Sequence, residues 1–321
     1  MNEYLDTVEY VLTYGKVKQG AQAVKKISTF ETPKIVYNLE EGFPLITTRD
    51  MSKTLKALYG ELLWIISGST NVNDLHKSGI RLWDQWATPE TSGKLGFTNG
   101  NLGPVYGHEL RNYGGSDPDA QIQPYGYDQL FYSRPPGLLT RISQALHLSK
   151  KEGPPQIKGI NQLDQIIGML KRSPDTGRAL ITFWNPGDVE VDGQEKVFIA
   201  PCIAMLHFFH QEGELGLHIF QRSADLGVGV PFDTAEMALL LSMVALELKM
   251  KPKRLIHTLS DAHIYEDQVP FMKELLKRNP RRKPTISISE TPSGTIYDHK
   301  LEDFHLENYD PYPPMKIPVA T

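Results

Sequence analysis

Tyr4, Leu5, Val8, Val11 and Leu12 recur at helical spacing among polar residues, which predicts an amphipathic helix over residues 3–14. Leu55, Leu58, Leu62, Leu63 and Ile66 predict a second over 53–66. Between them, 34–39 alternates as a strand does and Gly42-Phe43-Pro44-Leu45 reads as a corner. Residues 113–159 are rich in Gly, Pro, Ser and Gln, with helical spacing only at 138–148, so this stretch is expected to be an insertion with some structure. Beyond it the pattern predicts a helix over 161–171, a strand over 178–184, and β-rich runs over 199–210 and 215–221 joined as a hairpin through Gln211-Glu212-Gly213-Glu214. Pro231 precedes a predicted helix over 233–249, with Asp233 at its start where an acid complements the helix dipole. Strands and long helices without regular βαβ alternation indicate an α+β fold.

Composition narrows the class. Hydrophobic residues at 40% and charged residues at 22% exclude a disordered chain, and 321 residues bury a sizeable core as one large domain or two ordinary ones. With 34 basic against 38 acidic side chains there is no excess for a polyanion, and Lys277-Arg278-Asn279-Pro280-Arg281-Arg282-Lys283 reads as solvated surface, so no nucleic-acid partner is expected. The acidic N-terminus lacks the pattern of an export signal, and the longest apolar stretches, 200–209 and 235–248, fall short of the roughly 18–20 residues that span a bilayer. A single cysteine excludes an intramolecular disulfide and a multi-Cys metal site, which fits a reducing cytoplasm; no metal and no membrane partner are expected.

That cysteine, in Ala200-Pro201-Cys202-Ile203, is either a small buried hydrophobe or a working thiol. Arg222 closes the strand expected to pair beside it, and a neighbouring guanidinium favours a thiolate. In Asp261-Ala262-His263-Ile264-Tyr265, alternation points Asp261, His263 and Tyr265 to one face, where they could bind a sugar hydroxyl or form a satisfied polar rim. Glu61 stands on a helix otherwise devoted to packing, and by default faces solvent. Trp83 and Trp86 are a pair of rings able to fill a core or to stack on a base or pterin.

Taken in order, Glu-Leu-Leu-Trp (61–64), Trp-Asp-Gln-Trp-Ala (83–87), Leu-Gly-Pro-Val-Tyr-Gly (102–107), Ala-Pro-Cys (200–202), Gln-Arg-Ser-Ala-Asp (221–225), Gly-Val-Pro-Phe-Asp (229–233), Asp-Ala-His-Ile-Tyr (261–265) and Pro-Val-Ala (318–320) resemble the thymidylate synthase family from end to end, except at 113–159. The resemblance implies one catalytic domain over 1–321 with a mixed sheet flanked by helices, a homodimer formed through the sheet, a pyrimidine nucleoside 5′-monophosphate as substrate and 5,10-methylenetetrahydrofolate as cofactor. It makes Cys202 the nucleophile, Arg222 a phosphate ligand and thiol activator, Glu61 an acid/base acting through water, and Tyr106 a support for proton transfer. It assigns Arg178, Gln221, Ser223 and Asp233 to the nucleotide, with His263 and Tyr265 on the ribose 3′-hydroxyl. Asp225 would bind the pterin, Trp83 and Phe232 would flank the folate, and the terminal segment ending at Ala320 would close over it.

The departures from the family pattern are informative. The base-reading position, normally Asn, is Asp233. Uracil offers an acceptor O4 and a donor N3–H, which an amide matches; cytosine offers an amino donor and an acceptor N3, which a carboxyl group matches. The residue after the nucleophile, usually His near O4, is Ile203. Ala21 and Gly177 stand where the family has arginines, leaving Lys25 or Lys26 as substitute charges and Arg178 alone to reach across a dimer. The expected activity is hydroxymethylation of CMP or dCMP, with methylation of dUMP to dTMP as the alternative. A catalytically idle homologue binding nucleotide or RNA would dispense with Cys202 or Glu61, and both are present.

Overall fold

The computed structural model describes residues 2–20, 24–116 and 158–319. Ala21, the stretch 117–157 with its expected helix at 138–148, and Ala320 lie outside the described residues. The strands are β1 (Lys16–Gln19), β2 (Lys25–Thr29), β3 (Ile35–Asn38), β4 (Leu180–Thr182), β5 (Glu190–Val191), β6 (Gln194–Glu195), β7 (Ile203–Gln211), β8 (Glu214–Asp225), β9 (Lys251–Tyr265), β10 (Thr285–Ile288) and β11 (Phe304–Glu307). The helices are α1 (Asn2–Tyr14), α2 (Leu55–Ser67), α3 (Val72–His76), α4 (Tyr106–Asn112), α5 (Gln162–Arg172), α6 (Pro186–Val189), α7 (Gly229–Leu248) and α8 (Val269–Leu275). The fold is α+β, as the pattern predicts.

The main sheet runs β1-β2-β9-β8-β7-β4, with β3 also pairing β9. It is mixed, because β8 and β9 are parallel while the other pairs are antiparallel. The β7–β8 hairpin turns through Glu212 (φ 52°) and Gly213 (φ 82°), two left-handed residues whose twist suits paired strands. The run read at 199–210 pairs only from Ile203, so Cys202 lies just before the strand; the second run extends through Asp225, which puts Arg222 inside β8 and not at its end. The register sets Ile203 opposite Gln221 and Asp225 opposite His263, and a bulge interrupts β7 between Ile203 and Met205. Such an irregularity bends a strand where side chains must be re-aimed.

α7 starts at Gly229, four residues ahead of the expected helix, so Asp233 falls outside the first turn and does not serve the dipole. The first turn contains no acid. This continuous helix is long and apolar enough to cross a membrane by length and composition, longer than the interrupted stretches suggested; 72% of the window that passes is buried inside the protein, as in a core helix. It packs on α2, α5, β8 and β9. The basic run at 277–283 is less solvated than expected. Arg278 donates to the carbonyls of Thr48 (2.8 Å) and Pro313 (3.1 Å), and Arg281 pairs with Asp310, both guanidiniums standing over the Tyr312 ring. These contacts fasten residues 310–313 to the body.

Beside the sheet, Glu109 on α4 is 1% exposed, and burial together with the Asp188 carboxylate pushes its pKa up to about 10. The folded state therefore holds a proton that the unfolded chain releases near pH 4.3, and its stability declines as pH rises between those values. Glu109→Gln removes that dependence. The melting-temperature difference between variant and parent, read by scanning fluorimetry, should increase from pH 6 to pH 9 and reach a few degrees.

Candidate active site

One cavity of about 280 Å³ opens between α2, α4, α7 and the ends of β7, β8 and β9. Cys202, Glu61, Tyr106, Asp233, Gln221, Ser223, Asp225, His263, Tyr265 and Trp83 all line it. Residues from both halves of the chain, read as separate clusters in the sequence, thus face one space. Arg222 adjoins it through the loop that carries Cys202. Phe232 packs against the core without lining the cavity, and Arg178 is exposed just before β4.

The loop before β7 is held from two sides. Arg222 donates through Nε to the carbonyl of Pro201 and through Nη2 to that of Ala200, both at 2.7 Å, while its guanidinium lies over Trp184. The Tyr106 hydroxyl accepts the backbone N–H groups of Cys202 (2.8 Å) and Ile203 (3.0 Å), so its own proton is free to be donated elsewhere. Arg222 does not by itself make a reactive thiolate. Burial and the Asp233 carboxylate push the Cys202 thiol up to about 11, against which Arg222 pulls it down. Alkylation of the free enzyme by iodoacetamide should accelerate about tenfold per pH unit from pH 7 to pH 10, following the thiolate fraction; a plateau near pH 7 would show an activated thiol.

The acids lie deeper. Glu61 is 6% exposed, not solvent-facing as its position suggested, and accepts the indole N–H of Trp83 at 2.7 Å. Burial raises its pKa to about 8 despite that bond, with Asp233 adding to the rise. Burial likewise raises Asp233 to about 7, while a 2.7 Å hydrogen bond from Gln221 Nε2 to Oδ2 works the other way. Gln221 is oriented in turn: its Oε1 accepts from Nε2 of His257 (2.7 Å), whose Nδ1 meets the Thr234 hydroxyl (3.1 Å). Burial holds His257 neutral, with a pKa lowered to about 3, so one ring nitrogen donates and the other accepts. That fixes the Gln221 amide with its NH₂ toward Asp233. His257 shares the odd-numbered face of β9 with Asp261 and His263, and alternation along the strand was the signal for it; sequence reading passed over it.

At the end of β9, His263 and Tyr265 reach the cavity, with rings 5.1 Å apart and nearly perpendicular, and burial lowers the His263 pKa to about 4. Asp261 does not join them as a ligand. Its carboxylate is bound by Lys18 (3.0 Å), Lys26 (2.8 Å) and Ser28, and these bonds outweigh its burial to hold it far below the ordinary carboxylate range. Lys26 is thereby engaged on β2 and is not a substitute phosphate charge.

At the mouth, Asp225 accepts the Gly227 N–H (2.8 Å) and Gln268 Nε2 (3.2 Å), and Gln268 also donates to the carbonyl of Pro318 (3.0 Å). The C-terminal segment is therefore secured next to Asp225. Trp83, Trp86 and Ile199 are among the apolar residues that line the same cavity. A cavity lined by a carboxylate and by aromatic planes has the chemistry to take a pterin, which offers an amino and an N–H donor on a flat ring.

Glu236, on α7 one turn after Asp233, also lines the cavity and was missed in the sequence because it lies in the apolar run 235–248. The residues of this cleft belong to a chain that matches the thymidylate synthase family over residues 2–321.

Proposed function

The chain belongs to the thymidylate synthase family, a family of folate-dependent one-carbon transfer to C5 of a pyrimidine nucleotide, and from that premise we propose that it hydroxymethylates CMP or dCMP. The observation that carries the base assignment is the environment of Asp233. Gln221 donates to Oδ2, and Ile203, which lies opposite Gln221 in the β7–β8 register and lines the same cavity, brings no polar group to it. With a pKa near 7, the carboxyl is available in its neutral form, donating to N3 of cytosine while accepting from the exocyclic amine. Uracil would present its N3–H and O4 to the same group with donor and acceptor interchanged.

Cofactor binding is expected at the mouth, with Trp83 and Asp225 as its ligands, Phe232 supporting that wall from the core and the end of the chain near Ala320 as a cover. Methylenetetrahydrofolate, when bound, supplies the carbon unit. The protein's part begins at Cys202, whose thiolate adds to C6 and makes C5 nucleophilic, dividing a hard substitution into easier steps. A neutral Asp233 helps, because it removes the charge that most opposes the thiolate after burial itself. Glu61, held by Trp83, takes the C5 proton through water once the new bond exists. Tyr106 donates its hydroxyl proton toward the nucleophile's surroundings, and His263 and Tyr265 hold the sugar. Arg222 retains guanidinium N–H groups for phosphate beyond the two it spends on the loop.

We further propose a homodimer. Leu180 and Phe220 are exposed on the main sheet (39% and 36%), an apolar surface that a second sheet would cover. Arg178, beside Leu180 and outside its own cavity, then reaches the phosphate bound by the partner.

The test is incubation of the purified protein with methylenetetrahydrofolate and each of CMP, dCMP, UMP and dUMP, with both products identified by mass. Hydroxymethylated cytidylate with tetrahydrofolate is expected; dTMP with dihydrofolate would establish the synthase reaction instead.

A further inference from the structure

Hydroxymethylation, the reading on which a role for Glu236 rests, requires a water molecule delivered to one carbon and a base to take its proton. Glu61 accepts the Trp83 N–H, and the proposed function gives it the proton on C5. The cavity contains a further acid that these steps do not use. Glu236 is 4% exposed, and among the described residues its Oε1 has no hydrogen-bond partner. Asp233, Glu236, Met237 and Leu240 follow one another at helical spacing, so one stripe of α7 forms a wall of the cavity, with Glu61 on the α2 wall. Met237 and Leu240 make that wall otherwise apolar.

A buried carboxyl oxygen left without a hydrogen-bond partner is costly to the fold, which marks Oε1 as a group kept for something other than packing. Burial and the nearby acids Glu61 and Asp233 raise its pKa well above the usual carboxylate value, which makes it a better proton acceptor when it is ionised.

We propose that Glu236 is a positioning residue and proton acceptor for the water that captures the one-carbon unit after its transfer to C5. At that stage the nucleotide carries an exocyclic methylene at C5 and a bond from C6 to the Cys202 sulfur. Water oxygen bonds to the methylene carbon, and the π pair moves into the C5–C6 bond. The C6–S pair returns to sulfur as thiolate, and the proton lost by water passes to the Glu236 carboxylate. Atoms and charge balance without an oxidant or reductant. The residue therefore decides the fate of the intermediate and leaves its formation to Cys202 and Glu61.

Glu236→Gln keeps the shape and removes the base. Wild type and variant are compared with the nucleotide that the wild type uses best, with and without added 2-mercaptoethanol, and products are separated by mass. The expected result is at least a ~10-fold loss of hydroxymethyl product in the variant, with thioether formation from the added thiol rising in its place. Covalent trapping of 5-fluorocytidylate on Cys202, which precedes water capture, should stay within about threefold of the parent and reports that the variant is folded. Hydroxymethyl product within twofold of the parent overturns the proposal. So does a parallel loss of trapping and product, which would make Glu236 a structural group or a partner in the first addition. If wild type makes no hydroxymethylated nucleotide at all, the cytidylate hydroxymethylase reading falls and this one with it; if only the variant comparison fails, this one falls alone.

Discussion

Cys202→Ala should abolish turnover with every pyrimidine nucleotide, by on the order of 10⁴-fold or more in kcat, because no other group can form the bond at C6. Among the residues lining the cavity there is no second thiol, since the chain has one cysteine. The loss should fall on kcat and spare nucleotide affinity, because the proposed function assigns the base to Asp233 and the sugar to His263 and Tyr265, and the loop backbone is held by Arg222 and Tyr106 without using Sγ. Steady-state rates together with calorimetric titration of CMP separate the two effects. Weaker binding in step with the rate would show that the thiol is structural.

Asp233→Asn should reverse the base preference. In the variant the Asn carbonyl accepts from Gln221 Nε2, whose direction is set by His257, and the new NH₂ is left facing the ring edge. That edge suits O4 of uracil and opposes the amine of cytosine. Two mismatched groups at about 1–3 kcal/mol each amount to at least ~10²-fold in the ratio of kcat/KM for cytidylate over uridylate. The substitution also removes the charge that raises the Cys202 thiol, so alkylation at pH 7 should be faster than in the parent. An unchanged ranking of bases would remove Asp233 from base recognition.

Much of this was visible in the chain, for reasons that differ by element. The amphipathic helices at α1, α2 and α5 carry their periodicity locally, so their limits lie within two residues of the pattern. α7 carries none, being apolar nearly all round, and its start is set by packing, which is why Asp233 was placed a turn early. Lone side chains fared according to whether their partners are local. Glu61 reads as a surface acid until Trp83 is folded over it, and Lys26 reads as free until Asp261 arrives from β9. Arg222 was rightly placed next to Cys202, but its net effect depends on how deeply the thiol is buried, a quantity that spacing does not contain. Glu236 and His257 escaped because an acid in an apolar run and a histidine in a strand look ordinary one at a time. Their significance appears only when α7, β8 and β9 converge.

In the proposed reaction a thiolate at residue 202 adds to a cytosine ring whose amine is recognised by a carboxyl group. Fluorine at C5 cannot leave as the proton does, so a 5-fluoropyrimidine nucleotide stalls the reaction with the ring still attached to sulfur. Intact-protein mass after incubation with methylenetetrahydrofolate and either 5-fluorocytidylate or 5-fluorouridylate reads both halves of the claim at once, and the single cysteine makes the mapping unambiguous. A covalent adduct on Cys202 with 5-fluorocytidylate, formed much faster than with 5-fluorouridylate, is the expected result. An adduct with 5-fluorouridylate alone, or none with either nucleotide, would contradict it.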